Sequence, residues 1–322
     1  MRIEQYSSSL KKDWDEFIEK SKNGNFHLKR DFIEYHGNKM KDHSLLIYDE
    51  SGSLECVFPA NNEGNTICSH RGLTYGGFVT GKEMHLASMM NIFSGVLAFL
   101  KKDFDRLIYR AIPYIYHAAP AQEDLYCLFL SDAKISGRNV LPVIDPRSHI
   151  SFQDRRMRGS VKALKNNLEI RLSDDLDSYW TIVSELLARY GSEPVHSLKE
   201  IKNLAAMFPD NIKLFACFRK DEMLAGVLIF ESVLVARMQY IAATAEGKES
   251  GAMDLLSDRL VNDIYSSKAY IDFGTSTLDG GRILNAGISE NKEGFGARSV
   301  VQDTYEADLR NWDANKFLQT IK

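Results

Sequence analysis

Polar and apolar positions along this chain repeat one plan twice. Residues Trp14–Tyr109 and Tyr179–Phe273 each open on two helix-like stretches, Trp14–Lys20 and Lys29–His36 in the first copy, Tyr179–Tyr190 and Ser197–Phe208 in the second. Each continues with a strand, a charged turn and a second strand. These are Ser44–Tyr48, Asp49-Glu50-Ser51-Gly52 and Leu54–Ala60, against Lys213–Phe218, Lys220-Asp221-Glu222 and Leu224–Glu231. A further strand, a loop, a long amphipathic helix and a closing strand complete both. Internal repetition of an α/β unit predicts two similar lobes and a cleft between them where a ligand is held.

The second copy shows the pattern best. Leu214–Phe218 and Leu224–Phe230 flank a short polar turn and read as an antiparallel hairpin, with Leu234–Ala243 pairing next to it. Met253, Leu256, Leu260 and Ile264 fall three or four apart and predict a helix over Met253–Ser266. Tyr270–Phe273 is a short buried strand ending at Gly274. The expected class is mixed α/β, with mostly antiparallel sheets joined by crossover helices. Pro142, Asp145 and Pro146 follow a strand-like Asn139–Ile144 and precede a basic helix predicted from a Ser151 cap. That break places the domain boundary near Ile150, giving domains 1–150 and 151–322. The junction has no low-complexity linker, which predicts lobes that pack rigidly.

Composition narrows the function classes. With 322 residues, 44% hydrophobic and 26% charged, the chain has room for two ordinary globular domains. A net charge of -4 gives no footprint for general nucleic-acid binding, so DNA is not an expected partner. The opening residues lack a secretory h-region and no apolar run is long enough to span a bilayer, so the expected location is cytoplasmic. Cys56, Cys68, Cys127 and Cys217 are dispersed in apolar, strand-like surroundings. They read as buried reduced thiols, the alternative being a catalytic thiol, and no metal site is expected.

This order of elements is similar to that of GNAT-type acyltransferases, and its duplication resembles the FemAB-like branch of that superfamily. Arg155-Arg-Met-Arg-x-x-x-Lys162-x-x-Lys165 resembles the basic helix that opens the second domain there. Tyr270-Ile-Asp-Phe-Gly-Thr-Ser resembles the fifth strand, and Gly280–Ile288 followed by Asn291–Arg298 resembles the terminal K-x-x-F-G hairpin. The resemblance implies two tandem GNAT-like domains, an acceptor side at 1–150 and a donor side at 151–322. It implies transfer of an acyl or aminoacyl group to an amine, with the donor between splayed fourth and fifth strands. The donor residues it implies are Tyr240, Ile241 and Ala242 on the fourth strand, then Lys248, Gly251 and Ala252 at a pyrophosphate-binding loop before the helix. That loop departs from the [QR]-x-x-G-x-[GA] pattern, because Lys248-x-x-Gly251 runs on into Ala252-Met253. The departure sets acyl-CoA against an aminoacyl-tRNA donor.

Each candidate residue has a functional and a plain structural reading. Lys292 matches the family's motif lysine, which implies a cation for the oxyanion of acyl transfer; otherwise it is an exposed turn lysine beside a packed Phe295. Asp272 orients or deprotonates the incoming amine, or caps backbone N–H groups near Gly274. Asp272-Phe-Gly also spells the kinase magnesium motif, but no kinase glycine loop accompanies it. In Ser69–Gly77, His70 is a candidate base and Arg71 and Tyr75 candidate acceptor contacts; the alternative is a glycine-bounded turn. His196 lies between the two leading helices on the acceptor side, or is a surface residue next to a Ser197–Glu200 capping box. Gln239 and Tyr240 alternate, so only one should face the cleft. Arg282 and Asn285 hold a phosphate or sugar, or are ordinary turn residues. Arg155 and Arg156 belong to a helix that is a solvated face, an RNA contact or a wall for a diphosphate-linked acceptor. The expected function is N-acyl transfer to an amino sugar or cell-envelope precursor. Two alternatives stand: aminoacyl-tRNA-dependent peptide-bond formation, and a catalytically degenerate binding module.

Overall fold

The structure is a computed structural model and describes residues 1–35, 39–148 and 150–321. His36, expected to end the second helix, lies outside the described residues. The chain divides into two compact units. One comprises Met1–Asn139, Asp279–Arg282 and Val301–Lys322; the other comprises Val140–Leu278 and Ile283–Val300.

The first unit carries β1 (Arg2–Gln5), α1 (Lys11–Lys20), α2 (Arg30–Glu34), β2 (Lys41–Asp42), β3 (Leu45–Tyr48) and β4 (Leu54–Phe58). It continues with β5 (Asn61–Glu63), β6 (Thr66–Cys68), β7 (Val79–Thr80), α3 (Leu86–Leu100), β8 (Arg106–Arg110) and α4 (Glu123–Leu130). Antiparallel ladders order four strands as β1-β3-β4-β7. Strand β6 pairs with β8 in parallel, Ile67 opposite Leu107, and with β5 antiparallel. Helix α3 supplies Met89, Phe93, Val96 and Leu97 to a core that also holds Ile47, Phe58, Leu107 and Tyr109. Its aromatic stacking includes Phe58 on Phe78 at 4.7 Å.

Strand β9 (Lys134–Ile144) leads into the second unit. There follow α5 (Asp154–Lys165), β10 (Glu169–Ser173), α6 (Leu176–Ala188), α7 (Leu198–Met207), β11 (Ile212–Arg219), β12 (Glu222–Glu231) and β13 (Val235–Ala243). Next come α8 (Ala245–Ser250), α9 (Ala252–Arg259), β14 (Tyr270–Asp272), the short pair β15 (Thr277–Leu278) and β16 (Ile283–Leu284), and α10 (Ala286–Glu293). Strand β17 (Arg298–Asp308) and α11 (Ala314–Leu318) close the chain. The expected hairpin forms between β11 and β12, Leu214 opposite Leu228, with Lys220 at φ 56° in its turn. The expected capping box at Ser197 and Glu200 is present.

Two helix starts differ from expectation. Helix α5 begins behind Gln153 without a side-chain cap, not at Ser151. The predicted loop Ala245–Ala252 is largely helical, because the Thr244 side chain caps it by accepting from the Gly247 N–H. The long helix expected over Met253–Ser266 is α9 followed by a π-helical turn, Leu260–Ile264.

The sheet of the second unit is covered on both faces. Ala236, Met238, Ile271 and Phe273 share a core with Leu256 and Leu260 from the α9 side. On the other face Tyr179 of α6 donates to the carbonyls of Gly226 at 3.1 Å and Tyr240 at 2.9 Å. Since side chains alternate along a strand, Arg237 and Asp272 belong to this α6 face.

Candidate functional site

The strands β13 and β14 run in parallel for three pairs only: Val235 with Tyr270, Ala236 with Ile271, and Arg237 with Asp272. Past that point β13 continues to Ala243 against β12. Strand β14 stays with β9 instead, and the Phe273 N–H donates to the Pro142 carbonyl at 3.0 Å. Among the described residues the sheet therefore opens beside Arg237 and Asp272. At the opening β13 carries a bulge: Leu228 faces Tyr240, Ile229 faces Met238, and Gln239 is the extra residue. A bulge re-aims side chains. Gln239 accepts from Arg237 Nε at 2.9 Å while Tyr240 packs edge-on to Trp180 of α6 at 4.9 Å. Both lie on the α6 face, contrary to the alternation expected from sequence.

A buried charged group closes the base of this opening. Asp272 has no exposed surface and Arg237 is 8% exposed. Arg237 Nη1 donates to Asp272 Oδ2 at 2.6 Å, and the Gly274 N–H donates to Oδ1 at 2.7 Å. Lys292 is 9% exposed and stands in the last turn of α10, so it is neither exposed nor in a hairpin turn. Its Nζ donates to the carbonyls of Gly274 at 3.0 Å and Thr275 at 2.7 Å. Burial pulls its pKa down to about 8; Asp272 opposes that shift and Arg237 adds to it. An ammonium has three donors, and the carbonyls take two.

The remaining wall is aromatic. The Tyr240 hydroxyl accepts the His196 backbone N–H at 3.2 Å and lies 2.7 Å from His196 Nδ1. Burial pushes this phenol up to about 12. The pair ties the loop before α7 to the bulged strand, so His196 is a buried clamp and not a surface residue.

The expected phosphate loop is a helix junction. Gly251 sits at φ 84° between α8 and α9, and a Cβ there would lie 2.2 Å from the Gly159 carbonyl oxygen of α5. Ala252 is fully buried in the same contact. Arg156 belongs to this packing too, pairing with Asp254 at 2.8 Å and lying 4.4 Å over Phe295. Arg155 contacts Glu290 at 3.5 Å. Lys248 stays on the exposed side of α8. Asn285 caps α10 by accepting the Ile288 N–H at 3.1 Å, and Arg282 lies in the β15–β16 turn.

In the first unit the matching place is filled by the chain itself. Strand β6 pairs with β8 as the start of β13 does with β14, and β7 pairs with β4 as the end of β13 does with β12. Between β6 and β7 the segment 69–78 replaces the bulge. A Cβ at Gly77, φ 97°, would lie 2.4 Å from the Tyr109 hydroxyl, which also accepts the Phe78 N–H at 2.8 Å. Having no Cβ, Gly77 leaves room for the Tyr109 ring. Tyr75 is buried, accepting from Asn25 at 2.9 Å and lying 3.3 Å from His27 Nδ1, so a histidine–tyrosine pair recurs in each unit. His70 is buried at φ 57°. Arg71 is exposed, paired with Glu63 and donating its N–H to Asn61 at 2.7 Å.

The structure thus joins Lys292 with Asp272, and Tyr240 with His196. Sequence reasoning missed Arg237. A cation in an otherwise apolar strand was its one visible signal. All four cysteines are buried, and burial raises every thiol, Cys127 to about 12 and Cys217 to about 11. Among the described residues no His, Cys, Asp and Glu group could hold a metal, and no helix is long and apolar enough to cross a membrane.

No protein-family model and no curated protein matches the sequence. Solved structures do match. FemX superposes with a TM-score of 0.68 at 11% identity, covering 100% of both chains. L-PGS from Bacillus licheniformis gives 0.60 at 12% identity, covering 98% of this chain and 97% of that one. A tandem GNAT protein from the clavulanic acid biosynthesis pathway gives 0.51 at 8% identity, covering 97% and 99%. The chain has a tandem GNAT-like fold. More narrowly, it shares the fold of FemX over the whole length of both chains.

Proposed function

We propose that the protein is an N-acyltransferase that seats an activated acyl donor in the opened sheet of its second unit. The observation that carries this reading is the end of the β13–β14 ladder at Arg237 and Asp272, with buried Lys292 beside it. The acceptor amine attacks the donor carbonyl carbon, a C–N bond forms, and the carbonyl electrons move onto oxygen. The third N–H of Lys292 meets that oxyanion, a contact worth most in a site that excludes water. Collapse expels the leaving group as a thiolate or alkoxide, and the proton lost from nitrogen passes to that leaving group. Asp272 is poorly suited as base because both its oxygens are engaged. It acts as a structural carboxylate.

Donor contacts fall to Tyr240, Ile241 and Ala242, where β13 has left β14, and to Lys248 at the exposed face of α8. Gly251 and Ala252 are covered by α5 and hold no phosphate in this reading. An amino sugar or cell-envelope precursor remains the proposed acceptor. Acyl-CoA is the proposed donor and aminoacyl-tRNA the second. The thermal midpoint with acetyl-CoA, longer acyl-CoAs and aminoacyl-tRNA decides between them. A ligand at about a hundred times its Kd adds about 2.7 kcal/mol. Stabilisation by one donor class, followed by turnover that Lys292→Ala abolishes, is the expected result. Failure of every donor to stabilise the protein favours a binding module without catalysis.

A further inference from the structure

Lys292 is bound by neutral oxygens although a carboxylate acts on it. Asp272 is the carboxylate whose charge reaches the amine, and Arg237 is the cation that opposes it. Yet Nζ bonds to the Gly274 and Thr275 carbonyls. The reason lies in how Asp272 is occupied. Arg237 is its Cα partner across the ladder and holds Oδ2 at 2.6 Å. The guanidinium is itself fixed from the other side by Gln239, the bulge residue, at 2.9 Å. The second carboxylate oxygen takes the N–H of Gly274, the same residue whose carbonyl accepts from Lys292. A continuous chain of contacts runs from Gln239 through Arg237, Asp272 and Gly274 to the amine. An isolated pair of a buried lysine and aspartate would close on itself, since a bare buried charge is costly.

We propose that Arg237 is a positioning residue: by occupying Asp272 it keeps that carboxylate off Lys292, leaving the amine on two backbone carbonyls with one N–H for a substrate oxygen. This rests on the acyl-transfer reading of Lys292, but its test does not. In the full-length protein, trace acetylation of Lys292 by acetic anhydride, followed by peptide mass spectrometry across a pH series, reads the titration of that amine directly.

Arg237→Gln removes the opposing cation and frees Asp272. The Lys292 labelling midpoint is then expected to rise by about one pH unit, a tenfold change by the definition of pH. Asp272→Asn removes the carboxylate and is expected to lower the midpoint. Arg237→Gln with Asp272→Asn removes both charges and brings the midpoint between those of the two single variants. Where Arg237→Gln does not fold, Asp272→Asn and the charge-neutral double variant carry the test, the latter leaving no unpaired buried charge. Labelling curves that coincide in wild type, Arg237→Gln and Asp272→Asn overturn the proposal. With substrates, Arg237→Gln is expected to lower kcat with little change in KM, and the double variant to recover kcat; a change confined to KM overturns it as well. Absence of acyl transfer by wild type counts against the acyl-transfer reading alone, because the labelling curves stand without it.

Discussion

Lys292→Met tests the physical basis of the site, since it keeps an unbranched side chain one atom shorter and removes its charge. Burial brings the amine from the ordinary 10.5 to about 8. Each pH unit is worth about 1.4 kcal/mol, so carrying the ammonium in this position at neutral pH costs roughly 3 kcal/mol relative to the unfolded chain. Methionine removes that cost but leaves the Gly274 and Thr275 carbonyls without their donor, at about 1 kcal/mol each. The variant should be more stable than wild type by about 1 kcal/mol at neutral pH, while losing turnover.

The sign reverses at alkaline pH. Between the folded and unfolded values of Lys292 the unfolded chain binds the extra proton, so wild-type stability rises by about 1.4 kcal/mol per pH unit through that window. The methionine variant lacks this gain and falls behind. Trp180 lies in the second unit, and Trp14 and Trp312 in the first. Denaturant unfolding followed by Trp180 fluorescence in a shared Trp14→Phe, Trp312→Phe background therefore reads the relevant unit. A wild-type-minus-variant difference that stays constant with pH would refute the reasoning.

Three further perturbations follow from the packing. Gly251→Leu forces a side chain into the Gly159 carbonyl at a left-handed position, and should cost at least about 2 kcal/mol; an unchanged urea midpoint contradicts the α5–α9 contact. Tyr240→Phe removes the bond to His196 Nδ1 and the acceptor of its N–H, costing about 1–2 kcal/mol and shifting the His196 ring resonances; unmoved resonances would remove the clamp. Asp124 is pushed up to about 6 by burial and accepts from Tyr109. Because its folded value is raised above 3.8, its contribution is complete below that value and is lost as pH rises through about 6. Wild type should gain on Asp124→Asn by roughly 3 kcal/mol as pH falls across the window, read by unfolding of the first unit.

The repeated order of elements carried the overall fold class, and beyond it what could be read from sequence was local. The β11–β12 hairpin announces itself through two apolar runs around Lys220 and Asp221, and the start of α7 through Ser197 and Glu200, because neighbours in sequence settle both. The helical turn at Ala245–Ser250 was missed because its Thr244 cap precedes a stretch of glycine and charged residues that looks like a loop. The resemblance implied a phosphate-binding loop at Gly251. Only the crossing of α5, over ninety residues earlier in the chain, shows what fills the space. The Gln239 bulge leaves no mark in the alternation of β13, and the pairing of Arg237 with Asp272 spans 35 residues. Lys292 was legible as a residue but not in its surroundings, since its acceptors are backbone atoms that any sequence supplies.

Hydrogen exchange with and without a saturating donor measures most directly whether the opened sheet is the donor seat. The account predicts slowed exchange in Gln239–Ala243 and in the Gly274–Ser276 segment that holds Lys292, from whichever donor raises the thermal midpoint. A donor that stabilises the protein while these amides exchange at their unliganded rates, with protection confined to the first unit, would contradict it.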